Sequence, residues 1–177
     1  MYDFRDYLNY SEKLVFLAEE LSENQQENDW LLISATILAW ASIESFVNNR
    51  IDDFENLPNP LLLIHEKAFL QDKKIKFVNS GKKKGKFIID GVEYNRIEDK
   101  IFLLLEKFGE NKTTNISKGE LLWQEFSSFK AARDGLIHPR QKNQIILSVT
   151  KVQSFIDTSK KIINLISQNI WSKKIIF

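Results

Sequence analysis

The sequence contains no cysteine, which removes disulfide staples, thiolate nucleophiles and every zinc or iron–sulfur site built on sulfur ligands. It contains only two histidines, His65 and His138, too few to complete an imidazole-based metal cluster, so no metal and no cofactor are expected. Glycine and proline are scarce, at 6 and 3 of 177 residues, the signature of a chain rich in long helices. The glycine-flanked lysines Gly81-Lys82-Lys83-Lys84-Gly85-Lys86 are one residue short of a P-loop and lack its following Ser or Thr. No serine-hydrolase elbow is present. The first residues, Met1 to Lys13, carry Asp3, Arg5, Asp6 and Glu12 and lack the apolar core of a signal peptide, so secretion is not expected. The longest uncharged run, Trp30 to Ile43, is ended by Glu44 short of the roughly 20 residues that span a bilayer. It reads as a central buried helix, and a reducing, cytoplasmic location is the expectation.

What is present describes one ordinary globular domain over 1–177, with 43% hydrophobic and 28% charged residues. The net charge of +1 conceals an asymmetry. Residues 1–57 hold 12 of the 24 acids and 3 of the 25 bases, about −9, leaving 12 acids and 22 bases, about +10, for the rest. Such a separation makes one face attractive to polyanions, or two faces attractive to each other.

Helical spacing of Phe4, Leu8, Leu14, Val15, Ala18 and Leu21 predicts an amphipathic helix over 3–22. Asn28 or Asp29 is suited to cap a second helix running to about Asp53, apolar almost all round through Val47. Pro60 suits the first turn of a third helix reaching about Lys76. The texture then changes to a basic loop, 81–86, followed by Asp90-Gly91 between short apolar runs, a two-residue hairpin signal. A hairpin inserted at about 79–95 is expected. A fourth helix follows over 97–108, closed by Gly109. Ser117 and Glu120 form a capping box for a fifth, which aligns Leu122, Phe126, Phe129, Arg133 and Leu136 and must stop before Pro139. A last helix covers about 149–171. The fold class is therefore all-α, an up-and-down bundle of five or six helices with a small inserted β-hairpin.

The segment that offers chemistry is Ala132-Arg133-Asp134-Gly135-Leu136-Ile137-His138-Pro139-Arg140. A guanidinium lies in register with an apolar face, and an imidazole stands where the helix must end. The carbonyl-rich end of a helix favours imidazolium, so His138 is placed to carry a proton near neutrality and release it. Arg133 supplies a permanently ionised fork for the oxygens of a phosphate as charge builds on them. Together they suit metal-independent cleavage of RNA, in which a ribose 2′-hydroxyl loses its proton and attacks the adjacent phosphorus. One histidine cannot serve as base and acid on opposite sides of an in-line displacement; two copies of the chain can.

An Arg followed by a polar residue and then, after a gap of four to six residues, a His at the end of a penultimate long helix resembles the signature of the HEPN superfamily. Arg133, Asp134 and His138 fit it. The acidic first helix, the small-residue-rich second helix reading Ala39-Trp40-Ala41-Ser42-Ile43-Glu44-Ser45-Phe46-Val47-Asn48 and the amphipathic last helix are similar to that superfamily too. The resemblance implies a metal-independent endoribonuclease, a homodimer whose two Arg and two His line one cleft, of the kind found in prokaryotic toxin–antitoxin and antiviral defence systems. It also implies an antitoxin or another defence partner. The best known two-component toxin branch has a Tyr two positions after its His, where this chain has Arg140. Regulation by modification of that Tyr is thus not supported.

Other readings stand beside this one. Arg133 can be a structural guanidinium paired with an acid such as Glu44, and His138 a helix cap. Glu44 either orients Arg133 or lies on a polar helix edge, and Asp134 either shapes the site or faces water. Lys73, Lys74, Lys76, Lys82, Lys83, Lys84 and Lys86, with Arg140, either hold RNA phosphates or simply keep a surface loop soluble. Trp40, Trp123, Phe126 and Phe129 read as core, and His65 as structural. A HEPN-type domain that binds RNA or a protein partner without catalysis is the alternative to the nuclease, and an unrelated helical scaffold is the third reading.

Overall fold

A computed structural model describes residues 3–21, 25–55, 61–109, 119–138 and 145–177. Among them are six helices and one two-stranded antiparallel sheet: α1 (Phe4–Glu20), α2 (Gln25–Glu55), α3 (Ile64–Leu70), β1 (Lys73–Val78), β2 (Lys86–Val92), α4 (Ile97–Phe108), α5 (Leu121–Ile137) and α6 (Val149–Trp171). The fold is all-α with a small β-hairpin. The chain divides into two compact units, one formed by residues 1–46 and 110–177 and the other by 47–109, which encloses the expected insertion and extends well beyond it.

In the first unit, small residues of α2 let neighbouring helices come close. The Ser11 hydroxyl of α1 donates to the Ala35 carbonyl at 2.8 Å, and the Ser159 hydroxyl of α6 donates to that of Ala39 at 3.0 Å. Both serines are fully buried, so these bonds satisfy groups that would otherwise be costly to desolvate. Trp40 then anchors α5: its ring stacks on Phe126 at 5.2 Å and meets Phe129 edge-on at 5.3 Å, while Phe129 stacks on Phe155 of α6 at 4.6 Å. Each such pair contributes about 0.5–1.5 kcal/mol beyond its buried area. The inward stripe of α5 is Trp123, Phe126, Phe129 and Ala132. Leu122 and Leu136, expected inward, are only half-buried because the stripe is centred on the Trp40 contact.

The helix α2 is long and apolar enough, by length and composition, to cross a membrane over Asn28–Phe54. That span continues past Glu44, which ends only the uncharged run. In the fold Ala35, Ala39, Trp40, Ile43 and Phe46 are buried on it, as in the core helix of a helical protein. Asn28 and Asp29 lie inside α2 and do not cap it, since the helix already begins at Gln25. The expected cap Ser117 lies outside the described residues, and Glu120 itself takes the N-cap position of α5 without a side-chain cap bond.

The second unit departs most from expectation. The third helix does not reach Lys76: α3 ends at Leu70, and β1 begins at Lys73. The alternation Lys74-Ile75-Lys76-Phe77 has the period of a strand, and pairing with β2 satisfies it. Nor is Asp90-Gly91 the hairpin turn. The strands are joined by residues 79–85, and Asp90 pairs with Lys74 within the ladder. Lys73 pairs with Val92, so Gly91 is the extra residue of a bulge, and its φ of +76° is the left-handed conformation such a bulge takes from glycine. The local preference of Asp-Gly was read correctly; its place in the hairpin was not.

Asp72 ties this unit together. One carboxylate oxygen accepts from the Asn95 backbone N–H at 2.8 Å, the other from Lys100 Nζ at 2.6 Å, and its carbonyl accepts from Glu93 N–H at 2.8 Å. Glu66 does similar work at the start of α3, accepting from Leu63 N–H at 2.7 Å and Lys107 Nζ at 3.0 Å. Burial alone pushes the Glu66 carboxyl up. The Leu63 N–H, the bond and charge of Lys107 and the charge of His65 outweigh it and hold the group below its ordinary 4.5. A depressed folded-state value stabilises the fold above the ordinary value and stops doing so as pH falls through the folded one. The melting-temperature gap between wild type and Glu66→Gln is thus expected to be full at pH 7 and to shrink below pH 4.5, as read by thermal melts across that range.

Candidate functional site

Two turns of helix build the site in the first unit. On α2, Trp40 and Glu44 are one turn apart; on α5, Phe129 and Arg133 are also one turn apart, and the two pairs face each other. Trp40 donates from Nε1 to Glu44 Oε1 at 2.6 Å, and the same oxygen accepts from Arg133 Nη2 at 3.4 Å. Asp134 Oδ1 takes the other arm of the fork, accepting from Nη1 at 2.9 Å. The guanidinium carbon also stands 5.6 Å from the Trp40 ring centroid, a cation–π contact. Glu44 and Asp134 are thus both paired with Arg133, contacts that the sequence left open.

The guanidinium is held at a surface, not entombed. Its side chain is 25% exposed, against 39% for Glu44 and 43% for Asp134, so the cluster meets solvent on one side. Arg133 Nε is buried and finds no hydrogen-bond acceptor among the described residues. Three of the fork's five N–H bonds are therefore spoken for or shielded, and the remaining two point from the Nη atoms.

His138 is the C-cap of α5, with its backbone N–H donating to the Asp134 carbonyl at 2.9 Å and its side chain exposed. His138 lies five positions after Arg133, and its φ of −121° and ψ of 66° have already left the helical region. Just before the end of the helix, a Cβ at Gly135 would meet the terminal methyl of Ile145, which would have to move aside. The hydrogen bond from Trp40 to Glu44 had no separate signal in the sequence.

The basic residues lie in the other unit. Lys82, Lys83 and Lys84 are exposed in the loop between the strands, and Lys86 is the first residue of β2. Arg140 lies outside the described residues. His65 is exposed on α3 and adds its charge to the surroundings of Glu66. Comparison with protein families, curated proteins and solved structures returns no match for this chain.

Proposed function

We propose that this chain is a HEPN-type, metal-independent endoribonuclease that acts as a homodimer in the cytoplasm, in prokaryotic defence or a toxin–antitoxin pair. The observation that carries the proposal is the arrangement at the end of α5. A solvent-touching guanidinium is fixed by Glu44, Asp134 and the Trp40 ring, and an exposed imidazole follows at the helix terminus. Fixing the fork before substrate arrives is what electrostatic stabilisation of a phosphorane requires, because no reorganisation is then needed during the reaction.

In the proposed reaction one His138 takes the proton of a ribose 2′-hydroxyl, and the oxygen forms a bond to the adjacent phosphorus. The phosphorus–5′-oxygen bond breaks, and the partner subunit's His138 returns a proton to the leaving oxygen. Arg133 donates its free N–H bonds to the non-bridging oxygens as their charge grows. The products are a 2′,3′-cyclic phosphate and a 5′-hydroxyl. Incubating the protein with RNA in excess chelator and identifying the new ends tests the chemistry: cyclic phosphate ends support it, and 3′-hydroxyl ends or dependence on added metal overturn it.

One observation favours a second reading, a HEPN-type domain that binds a protein partner without cutting. Arg133 carries one positive charge, and Glu44 and Asp134 carry two negative ones, so the cluster sums to −1 before His138 is counted. A phosphate must compete with those carboxylates for the guanidinium.

A further inference from the structure

The hairpin carries a surface that the site at the end of α5 does not use. Strand pairing sets Phe77 directly opposite Phe87 and Ile75 opposite Ile89, so all four share one face. The two phenyl rings lie 5.3 Å apart, tilted by 58°, and are 54% and 58% exposed. An exposed pair of large aromatic rings on a two-stranded ribbon gains nothing for folding from the half of each ring left in water.

Around this pair the charge is of one sign. Residues 73–92 hold seven lysines and one acid, Asp90, a balance of 7 − 1 = +6. Asp90 is itself engaged by Lys76 at 3.5 Å. The tip is tightly formed: Gly85 N–H donates to the Val78 carbonyl at 2.7 Å and Lys84 N–H to that of Gly81 at 3.1 Å. Gly81 and Gly85 take left-handed φ values of +73° and +79° on either side of Lys82, Lys83 and Lys84, all three exposed at the end of the ribbon. Lys74, Lys76 and Lys86 stand on the other face of this ribbon, whose strands are only about 4.8 Å apart.

We propose that this hairpin binds single-stranded nucleic acid, with bases stacking on Phe77 and Phe87 and phosphates held by the lysines of the loop and strands. Every base offers a face to a phenyl ring whatever its identity, and a flexible single strand can lay bases on two tilted rings as a duplex cannot. The charge argues against a second copy on the same face, since two ribbons of +6 repel each other. The inference is independent of the nuclease proposal, because it uses neither Arg133 nor His138.

The test is fluorescence anisotropy of the full chain with labelled 12-residue oligomers of deoxythymidine and of 2′-O-methyluridine. Neither has a free 2′-hydroxyl, so binding is read apart from any cleavage, and comparing the two separates a DNA preference from an RNA one. Both are expected to bind at low salt. Phe77→Leu and Phe87→Leu, which keep an apolar side chain in the strand, are each expected to weaken binding about tenfold, and Phe87→Trp to restore it. Replacing Lys82, Lys83 and Lys84 with Gln should lower the slope of log affinity against log salt by about 2. No binding at low salt overturns the proposal. So does equal binding by the Leu variants, which means charge alone, or self-association of the wild type that the Leu variants abolish, which means a second copy covers the face. Thermal melts of each variant identify any loss that comes from unfolding, and rescue by Phe87→Trp separates it from loss of stacking.

Discussion

His138→Ala is expected to lower RNA cleavage by about 10²- to 10⁴-fold while leaving the melting temperature within about a degree of wild type. The two halves of that expectation have separate causes. His138 is exposed at the end of α5, and only its backbone is tied to the helix, by the bond from its N–H to the Asp134 carbonyl. Alanine keeps that bond, so the fold loses little. The reaction loses both its base and its acid, because each subunit of the proposed dimer contributes the same residue to opposite sides of the phosphorus. Arg133→Ala makes a useful contrast. It too removes transition-state stabilisation, but it also leaves Glu44 and Asp134 without their shared cation, so stability should fall with it. Arg133→Lys cannot replace the two-armed contact to both carboxylates and should resemble the alanine variant in activity. Rates with a labelled RNA in chelator, set beside thermal melts, separate these cases.

Asp72→Ala is expected to destabilise the unit formed by 47–109 by about 3 kcal/mol, the low end for breaking a buried ion pair, since the Asp72 side chain is 31% exposed. Its partner Lys100 is 4% exposed on its side chain, and the variant leaves that ammonium in the interior with no counter-charge. The Asn95 N–H loses its acceptor as well. Asp72 further adopts a φ of +55°, which Asp and Asn tolerate and alanine does not. Asp72→Asn should therefore lose less, keeping the Asn95 bond and the backbone angle, and Lys100→Met less still, because it removes the charge that needs pairing. Urea denaturation followed by hydrogen exchange over 47–109 reads the effect. A change below about 0.5 kcal/mol for Asp72→Ala would contradict the role given to this ion pair.

How much of this was legible in the sequence depended on the range of the signal. Helices α4 and α6 match the expected 97–108 and 149–171, because each is a strong apolar period with a clear terminus. The end of α5 at His138 followed from Pro139, a local steric rule. Where local rules conflict, the sequence misleads. The run Lys73 to Val78 has a period of two over only six residues, too short to stand out from the helix before it, and Asp90-Gly91 has the chemistry of a turn but its left-handed glycine serves a bulge. At the site, Arg133 and Glu44 are 89 residues apart, and no local rule could choose between a paired and a solvated Glu44. The Phe77–Phe87 pair was hidden for a related reason: which residues face each other across a hairpin depends on where its turn lies, and the turn was misplaced by several residues.

The proposed site is shared between two copies of the chain, and that is most directly tested by following RNA cleavage in chelator through a dilution series, alongside the oligomeric state by analytical ultracentrifugation. If the site is composite, turnover per chain falls in step with the loss of dimer. A monomer that cuts at the full rate, or a stable dimer that leaves every RNA intact, would contradict it.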